Sequence, residues 1–291
     1  MQNNPFPSHQ TLLTRRQFLK ASLVGLGGAL AASYPVFIER YWVTVNRYRV
    51  ALPGLPPAFD GLRVAHLSDI HAGPWSPDGW LQGLMRTVMD LRADLIVCTG
   101  DYVREKNGTT QIERIWPLLA GLQAPLGVYS VLGNHDHWAD TDRSLYWLEK
   151  SGQNLRHKVV RLERDGQPLW LAGAGDLWED ELGLEETLAN IPPDEARVVL
   201  AHNPDSFDVP FSGRVDLMLC GHTHGGQVRL PLIGAPMLPV NNKAYVSGLL
   251  HLSRGAMFIS RGIGWSGVPV RFNCSPEIAL LELEYKKTMN D

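Results

Sequence analysis

The chain is 291 residues long, 44% hydrophobic and 20% charged, and its 28 glycines and 20 prolines make about one residue in six a turn-former. That composition excludes coiled-coil, collagen-like and disordered classes. Formal net charge is -3, from 27 basic and 30 acidic residues, so no basic field exists to draw in nucleic acid, which is excluded as a partner. Cys98, Cys220 and Cys274 form no C-x-x-C pair and provide neither a disulfide scaffold nor a zinc ribbon. Cys98 and Cys220 each end an apolar run and read as small buried hydrophobes. The length suits two domains of about 150 residues or one large α/β unit; the reading taken is a leader over 1–40 and a single domain over 41–291.

Thr14 to Lys20 reads T-R-R-Q-F-L-K and precedes an uncharged, Gly/Ala-rich stretch from Ala21 to Ile38, with Ala29-Leu30-Ala31 as a candidate cleavage site. This resembles a twin-arginine export signal. Eighteen uncharged residues also just suffice to span a bilayer, so a cleaved signal and a retained anchor are both open. Either way the protein is expected to be exported: periplasmic, or anchored on the outer face of the inner membrane, with the twin-arginine machinery as a partner.

Downstream, Trp42 to Leu52 alternates polar and apolar residues, as a half-buried antiparallel strand does. Leu62–Ser68, Leu95–Thr99, Gly127–Leu132, Val198–Ala201 and Val215–Cys220 are short, nearly continuous apolar runs, the pattern of strands buried on both faces. Helical spacing over Pro77–Leu91 and Ile112–Leu122 separates the first three runs, predicting right-handed βαβ units. Leu169–Ala172, Met257–Ser260 and Ile278–Glu284 read as further strands of a second, mixed or antiparallel sheet.

In open α/β sheets ligands collect beyond the carboxyl ends of strands. Five of the apolar runs end there in metal-ligand residues: S-D-I-H (Asp69, His71), T-G-D (Asp101), L-G-N-H-D-H (Asn134, His135, Asp136, His137), A-H-N-P-D (His202) and C-G-H-T-H (His222, His224). Singly, such a His or Asp is a hydrogen-bonded structural residue; five together, each beside a small residue that admits close backbone approach, describe a site. Side chains two apart on an extended strand end share a face, which would bring Asp69 to His71 and His222 to His224. Nitrogen and oxygen donors without thiolate suit Mn, Fe or Zn. Seven candidate ligands exceed the needs of one ion, so two divalent ions are expected, about 3.5 to 4 Å apart with a bridging carboxylate.

The ordered motifs D-x-H, G-D, G-N-H-D, H and G-H-x-H resemble those of the calcineurin-like metallophosphoesterases over about residues 60–285. Within that family, the leader, H-N-P-D (His202 to Asp205), G-H-T-H-G-G-Q (Gly221 to Gln227) and R-F-N-C-S-P-E (Arg271 to Glu277) resemble exported phosphodiesterases of the YaeI/YkuE type. The resemblance implies an α/β fold, a four-layer αββα sandwich with two mixed sheets. It implies Asp69, His71 and His224 on one metal, Asn134, His202 and His222 on the other, and Asp101 on both. His135 is then catalytic, as acid or phosphoryl stabiliser, during in-line attack by a metal-bridging hydroxide. Asp136 either orients His135 or is a plain hydrogen-bond acceptor. Gly100-Asp101 continues as Tyr102-Val103-Arg104-Glu105, unlike the superfamily's protein Ser/Thr phosphatases, which argues against a phosphoprotein substrate. The alternatives are a UDP-diacylglucosamine-type pyrophosphatase acting on a lipid-linked diphosphate, and a non-catalytic scaffold. The substrate is thus a small-molecule or lipid-linked phosphoester.

Several signals stay local. Gly262 to Gly267 matches G-x-G-x-x-G but lacks the following helix of a dinucleotide fold. Arg261 and Arg271 flank it, as phosphate clamps or as ordinary structural arginines. Trp75, Trp138, Trp178 and Trp265 either rim the site or pack under their own loops. Asp176 to Glu186 reads as a solvated helix face, and His66 and His137 as structural histidines.

Overall fold

The computed structural model describes residues 14–286; the first 13 residues of the leader and the last five of the domain lie outside the described residues. The leader folds as helix α1 (Arg15–Phe37), opened by a capping box between Thr14 and Gln17. Among the described residues it is the one helix long and apolar enough to cross a membrane.

The chain then enters β1 (Thr44–Leu52), β2 (Leu62–Leu67), α2 (Asp78–Asp90), β3 (Leu95–Thr99), α3 (Thr109–Ala120), β4 (Val128–Val131) and α4 (Asn134–Lys150). Leu81, Leu84, Met85 and Val88 give α2 a buried stripe at helical spacing, and Ile112, Ile115, Trp116 and Leu119 do the same for α3. The predicted βαβ units are present: β2, β3 and β4 run parallel. The chain continues through β5 (Val159–Arg164), β6 (Gln167–Gly173), α5 (Leu184–Leu188), β7 (Arg197–Leu200), β8 (Leu217–Cys220), β9 (Gly248–Leu252), β10 (Gly255–Ile259) and β11 (Glu277–Tyr285).

Two mixed sheets result, a five-stranded one in the order β1-β11-β2-β3-β4 and a six-stranded one in the order β5-β6-β7-β8-β10-β9. Two expectations are corrected. β1 pairs parallel with β11, and β11, antiparallel to β2, belongs to the first sheet rather than the second. An alternating strand reports a half-buried face but carries no information on its neighbour's direction.

Strand parity assigns the layers. Val64, Leu95, Val97, Val198, Leu200, Leu217, Leu219 and Phe258 fill one core, between the sheets. Their alternate neighbours Ala65, Ile96 and Cys98 pack under α2, α3 and α4. On the far side of the second sheet, Val199, Met218 and Met257 meet Leu184, Leu188, Phe207, Val240 and Tyr245. That fourth layer is thin, a five-residue helix and loops, which leaves the carboxyl edge of the second sheet to be roofed by the long stretch 221–247.

Candidate metal centre

The carboxyl ends of β2, β3, β4, β7 and β8 meet along one edge shared by the two sheets, and backbone bonds lace their loops together. The N–H of Asp69 donates to Gly100 O and that of His71 to Asp101 O, both at 3.0 Å, and the His222 N–H reaches the Asp69 carboxylate at 3.0 Å. The expected extended strand ends are not what aims the side chains. Asp69, His71, Asp101, His222 and His224 all have φ between 47° and 68°, the left-handed region that costs non-glycine residues energy and persists where surrounding bonds enforce it. β2, β3 and β8 therefore end in abrupt left-handed turns that swing their donors into the gap between the sheets.

The result is a compact donor set. Asp69, His71 and His224 form one group and Asp101, His202 and His222 another, the ligand atoms in each lying within 4.8 Å of one another; His71, Asp101 and His135 form a third. Asp101 Oδ2 lies 3.4 Å from His71 Nε2 and 3.3 Å from His202 Nε2, so it faces both halves. His71 Nε2 is 3.0 Å from His224 Nε2, and His222 Nδ1 is 3.1 Å from His202 Nε2. Two ring nitrogens that close repel unless a proton or cation lies between them. Asn134 Oδ1 is buried among them with no hydrogen-bond partner, an acceptor whose desolvation is otherwise uncompensated. Imidazoles, carboxylates and one amide oxygen fit divalent cations of the Mn, Fe or Zn kind.

Protonation follows burial. Desolvation holds His71 and His224 well below the usual imidazole range and His222 near 3, keeping their lone pairs free. Burial opposes charge on His202 as well, but Asp101 and Asp69 prevail and raise it to about 10. Carbonyls fix two tautomers: His202 Nδ1 donates to Thr99 O at 2.7 Å and His222 Nε2 to Pro239 O at 2.9 Å, leaving the opposite nitrogens turned inward.

His135 stands at the edge of this cluster, partly exposed. Its Nδ1 donates to Arg104 O at 2.8 Å, and Nε2 lies 3.5 Å from Ser266 Oγ. The Arg104 carbonyl, not Asp136, orients the ring. The Asp136 carboxylate is instead filled by the N–H groups of Asp101, Tyr102 and Gly133 at 2.8, 2.9 and 2.9 Å, and so fixes the two loops that carry Asp101 and Asn134. Gly133 has to be glycine: an added Cβ would lie 2.8 Å from His202 Cε1 and collide with the Asp101 carboxylate.

The two flanking arginines do not reach the cleft as phosphate clamps. Arg271 is fully buried, its guanidinium donating to the carbonyls of Gly264 and Cys274 at 2.8 and 3.2 Å and lying against His224 Nδ1. Arg261 is spent on the buried carboxylate of Glu277 at 3.0 Å. Between them, the G-x-G of the false dinucleotide motif packs behind the site; a Cβ on Gly262 would lie 2.6 Å from Asp69 Cβ.

The tryptophans divide. Trp138 and Trp178 line the cleft, their rings 4.7 Å from His135 and 4.5 Å from His222. Trp265 is buried between Tyr41 and Trp80, and Trp75 stays exposed. Asp176–Glu186 is not a solvated helix face: α5 starts only at Leu184, Asp180 pairs with Arg156, and Asp176 is 1% exposed with Oδ2 unpartnered. The signal was present, since Asp176 follows an apolar strand as the other site residues do. His66 is structural, bonded to Thr99 Oγ1 at 2.8 Å, whereas neither ring nitrogen of the buried His137 makes a hydrogen bond, Nε2 lying 4.0 Å from Asp180 Oδ2. The cleft above the donors encloses about 1120 Å³, and its outer wall is apolar, formed by Ile233, Met237, Leu238 and Val268.

Comparison with known proteins agrees with this geometry. Residues 62–226 match the calcineurin-like phosphoesterase family. The chain is 31% identical over 277 residues to phosphodiesterase YaeI of Escherichia coli, covering 94% of this chain and 100% of that protein. It is 30% identical over 285 residues to the uncharacterized metallophosphoesterase YkuE of Bacillus subtilis, covering 94% and 98%. A more distant relative, at 25% identity over 304 residues and 86% and 92% coverage, is the UDP-2,3-diacylglucosamine pyrophosphatase LpxG of Chlamydia trachomatis. With its motifs folded into one donor cluster and most of its length aligned to such relatives, the chain belongs to the calcineurin-like phosphoesterase family.

Proposed function

We propose that the protein is a two-metal phosphodiesterase in which Asp69, His71 and His224 hold one divalent ion, Asn134, His202 and His222 the other, and Asp101 both. The observation that carries this reading is the position of Asp101 Oδ2, within 3.4 Å of His71 and 3.3 Å of His202 at once. Ions of the Mn, Fe or Zn class held there would supply charge neutralisation for phosphoryl oxygens and an acidified water as nucleophile. The protein's own part is positional. With Nδ1 fixed on the Arg104 carbonyl, His135 turns Nε2 to the phosphoryl group and, as imidazolium, donates from it to a non-bridging oxygen or gives its proton to the departing alkoxide. No side-chain nucleophile is required. Asp136 serves by holding the Asp101 and Gly133 backbone, as a positioning residue.

The name of YaeI supports a diester substrate. The second reading, cleavage of a lipid-linked diphosphate, draws on LpxG and on the apolar cleft wall. Residues 1–40 act in this account as a twin-arginine leader retained as an anchor, with 41–291 as the catalytic unit on the outer face of the membrane. The test is metal content and turnover. Manganese-loaded protein is expected to bind two ions per chain and to hydrolyse bis(p-nitrophenyl) phosphate faster than the monoester, and Asp101→Asn to lose at least about 10²-fold in rate. Less than one ion per chain with an unchanged Asp101→Asn would leave the scaffold reading instead.

A further inference from the structure

The stretch 230–234 folds into a tight turn, in which Leu230 N donates to Gly234 O at 2.8 Å and Gly234 N back to Leu230 O at 2.9 Å. Pro231 and Leu232 are its central residues, and Leu232 has φ +67°, the position of a type II turn that favours Gly or Asn. A leucine there is costly twice: its backbone is left-handed, and its side chain is completely exposed, at 108% of the reference area. Ile233, Met237 and Val268 beside it are 70%, 80% and 62% exposed. Contiguous exposed apolar side chains mark an interaction surface.

What covers them is indicated by the neighbouring backbone. Arg229 N donates to Phe272 O at 2.8 Å, Arg271 N to Pro35 O at 3.1 Å, and Arg40 Nη1 to Pro269 O at 3.1 Å. The turn, the 266–272 loop and the foot of α1 are thus bonded side by side. At that foot, Phe37, the last residue of α1, and Trp42, just beyond it, are themselves 68% and 61% exposed; the apolar stretch of α1 is long enough to cross a membrane. A bilayer that accommodates α1 ends at this level, against the turn. An aromatic such as Trp42 is at home at that boundary.

We infer that Leu232, Ile233, Met237 and Val268 form a lip that docks into the lipid bilayer beside the α1 anchor, so that the cleft opens at the membrane surface and takes phosphoesters carrying an apolar tail. Ile233, Met237 and Val268 are at once the exposed lip and the wall of the cleft. A tail emerging from the bilayer can therefore follow one continuous apolar surface to the donor cluster. The substrate half of this inference rests on the phosphoesterase reading above; the docking half does not.

The test uses the full chain reconstituted in phosphatidylcholine vesicles. Cys98, Cys220 and Cys274 are buried, so a thiol dye on Leu232→Cys, or on Glu163→Cys at the exposed edge strand as control, labels one site. Quenching by doxyl-labelled lipid is expected to be at least about twofold stronger at 232 than at 163; equal quenching overturns the lip. For the substrate, Leu232→Asp, whose side chain tolerates the left-handed turn, is compared with wild type on two p-nitrophenyl diesters. Turnover of soluble bis(p-nitrophenyl) phosphate is expected to stay within about twofold, while that of a vesicle-embedded diacylglycerol p-nitrophenyl phosphate falls about tenfold. Equal effects on both, or none on either, overturn the substrate claim. If wild type hydrolyses neither diester, the phosphoesterase reading fails and the quenching still decides the docking.

Discussion

The carboxylate of Asp136 and the backbone N–H of Asp101, 35 residues apart, meet at 2.8 Å. Asp136 also accepts from Tyr102 and Gly133, so one buried side chain clamps the turn after β3 to the turn after β4. Replacing it with asparagine swaps an acceptor oxygen for a donor NH2 that faces N–H groups. Asp136→Asn is expected to destabilise the metal-free protein by about 1–3 kcal/mol and to weaken metal binding by about 10- to 100-fold, read by thermal unfolding and by metal retained after dialysis. Unchanged metal retention would sink the clamp.

The proposed mechanism gives His135 a leaving oxygen to handle rather than a metal to hold. His135→Ala is expected to keep two ions per chain and to lose about 10²- to 10⁴-fold in kcat on an alkyl diester. The loss should be much smaller on a p-nitrophenyl diester, whose leaving group needs no proton. A loss of equal size on both substrates would argue against proton transfer at Nε2.

Metal removal tests the centre as a structural element. An ion present at 100 times its Kd adds about 2.7 kcal/mol of stability, and in a domain of this size each kcal/mol is worth about 2–4 °C. Chelation is therefore expected to lower Tm by about 5 °C or more, reversed by re-addition of manganese. An Asp101→Asn chain should show little of this shift.

His66 is a contributor to acid sensitivity outside the ligand set. Burial lowers His66 from 6.5 to about 4, against the pull of Glu277. Between these values the unfolded chain binds the proton and the folded one does not, so stability falls as pH drops from 6.5 to 4 and is unaffected by this group at higher pH. The full effect is on the order of 3 kcal/mol. His66→Gln is expected to flatten the stability–pH curve in that window relative to wild type, measured by urea unfolding; parallel curves would remove His66 from the account.

Much of this was legible in the chain. Leu62–Ser68 and Leu95–Thr99 are nearly continuous apolar runs because both faces of β2 and β3 are covered, and such a run needs no partner to be read. The donors were legible for a related reason: His202 and Asp101 are polar residues placed just where an apolar run stops, and that break is local. α4 was missed because it begins inside the Asn134 motif and is interrupted at Asp140, whose φ of -176° breaks its amphipathic rhythm. The burial of Asp176 is not legible in the chain, because an acidic run on a surface and a single acid turned inward look alike in one dimension.

What the sequence alone determined is the inventory: nine of the eleven strands, all but β5 and β9, the order of the donors, the chemistry they share and the apolar leader. The tertiary structure decided which strand ends share an edge, how left-handed turns aim Asp69 and His224, that Arg271 is buried rather than offered to a ligand, and that Arg229, before the Leu232 turn, is bonded to the loop that meets the foot of α1. The difference is physical. Periodicity and residue type act over a few neighbours, whereas the direction of β1 against β11, or the meeting of Asp136 with Asp101, is fixed only by the packing of the whole chain.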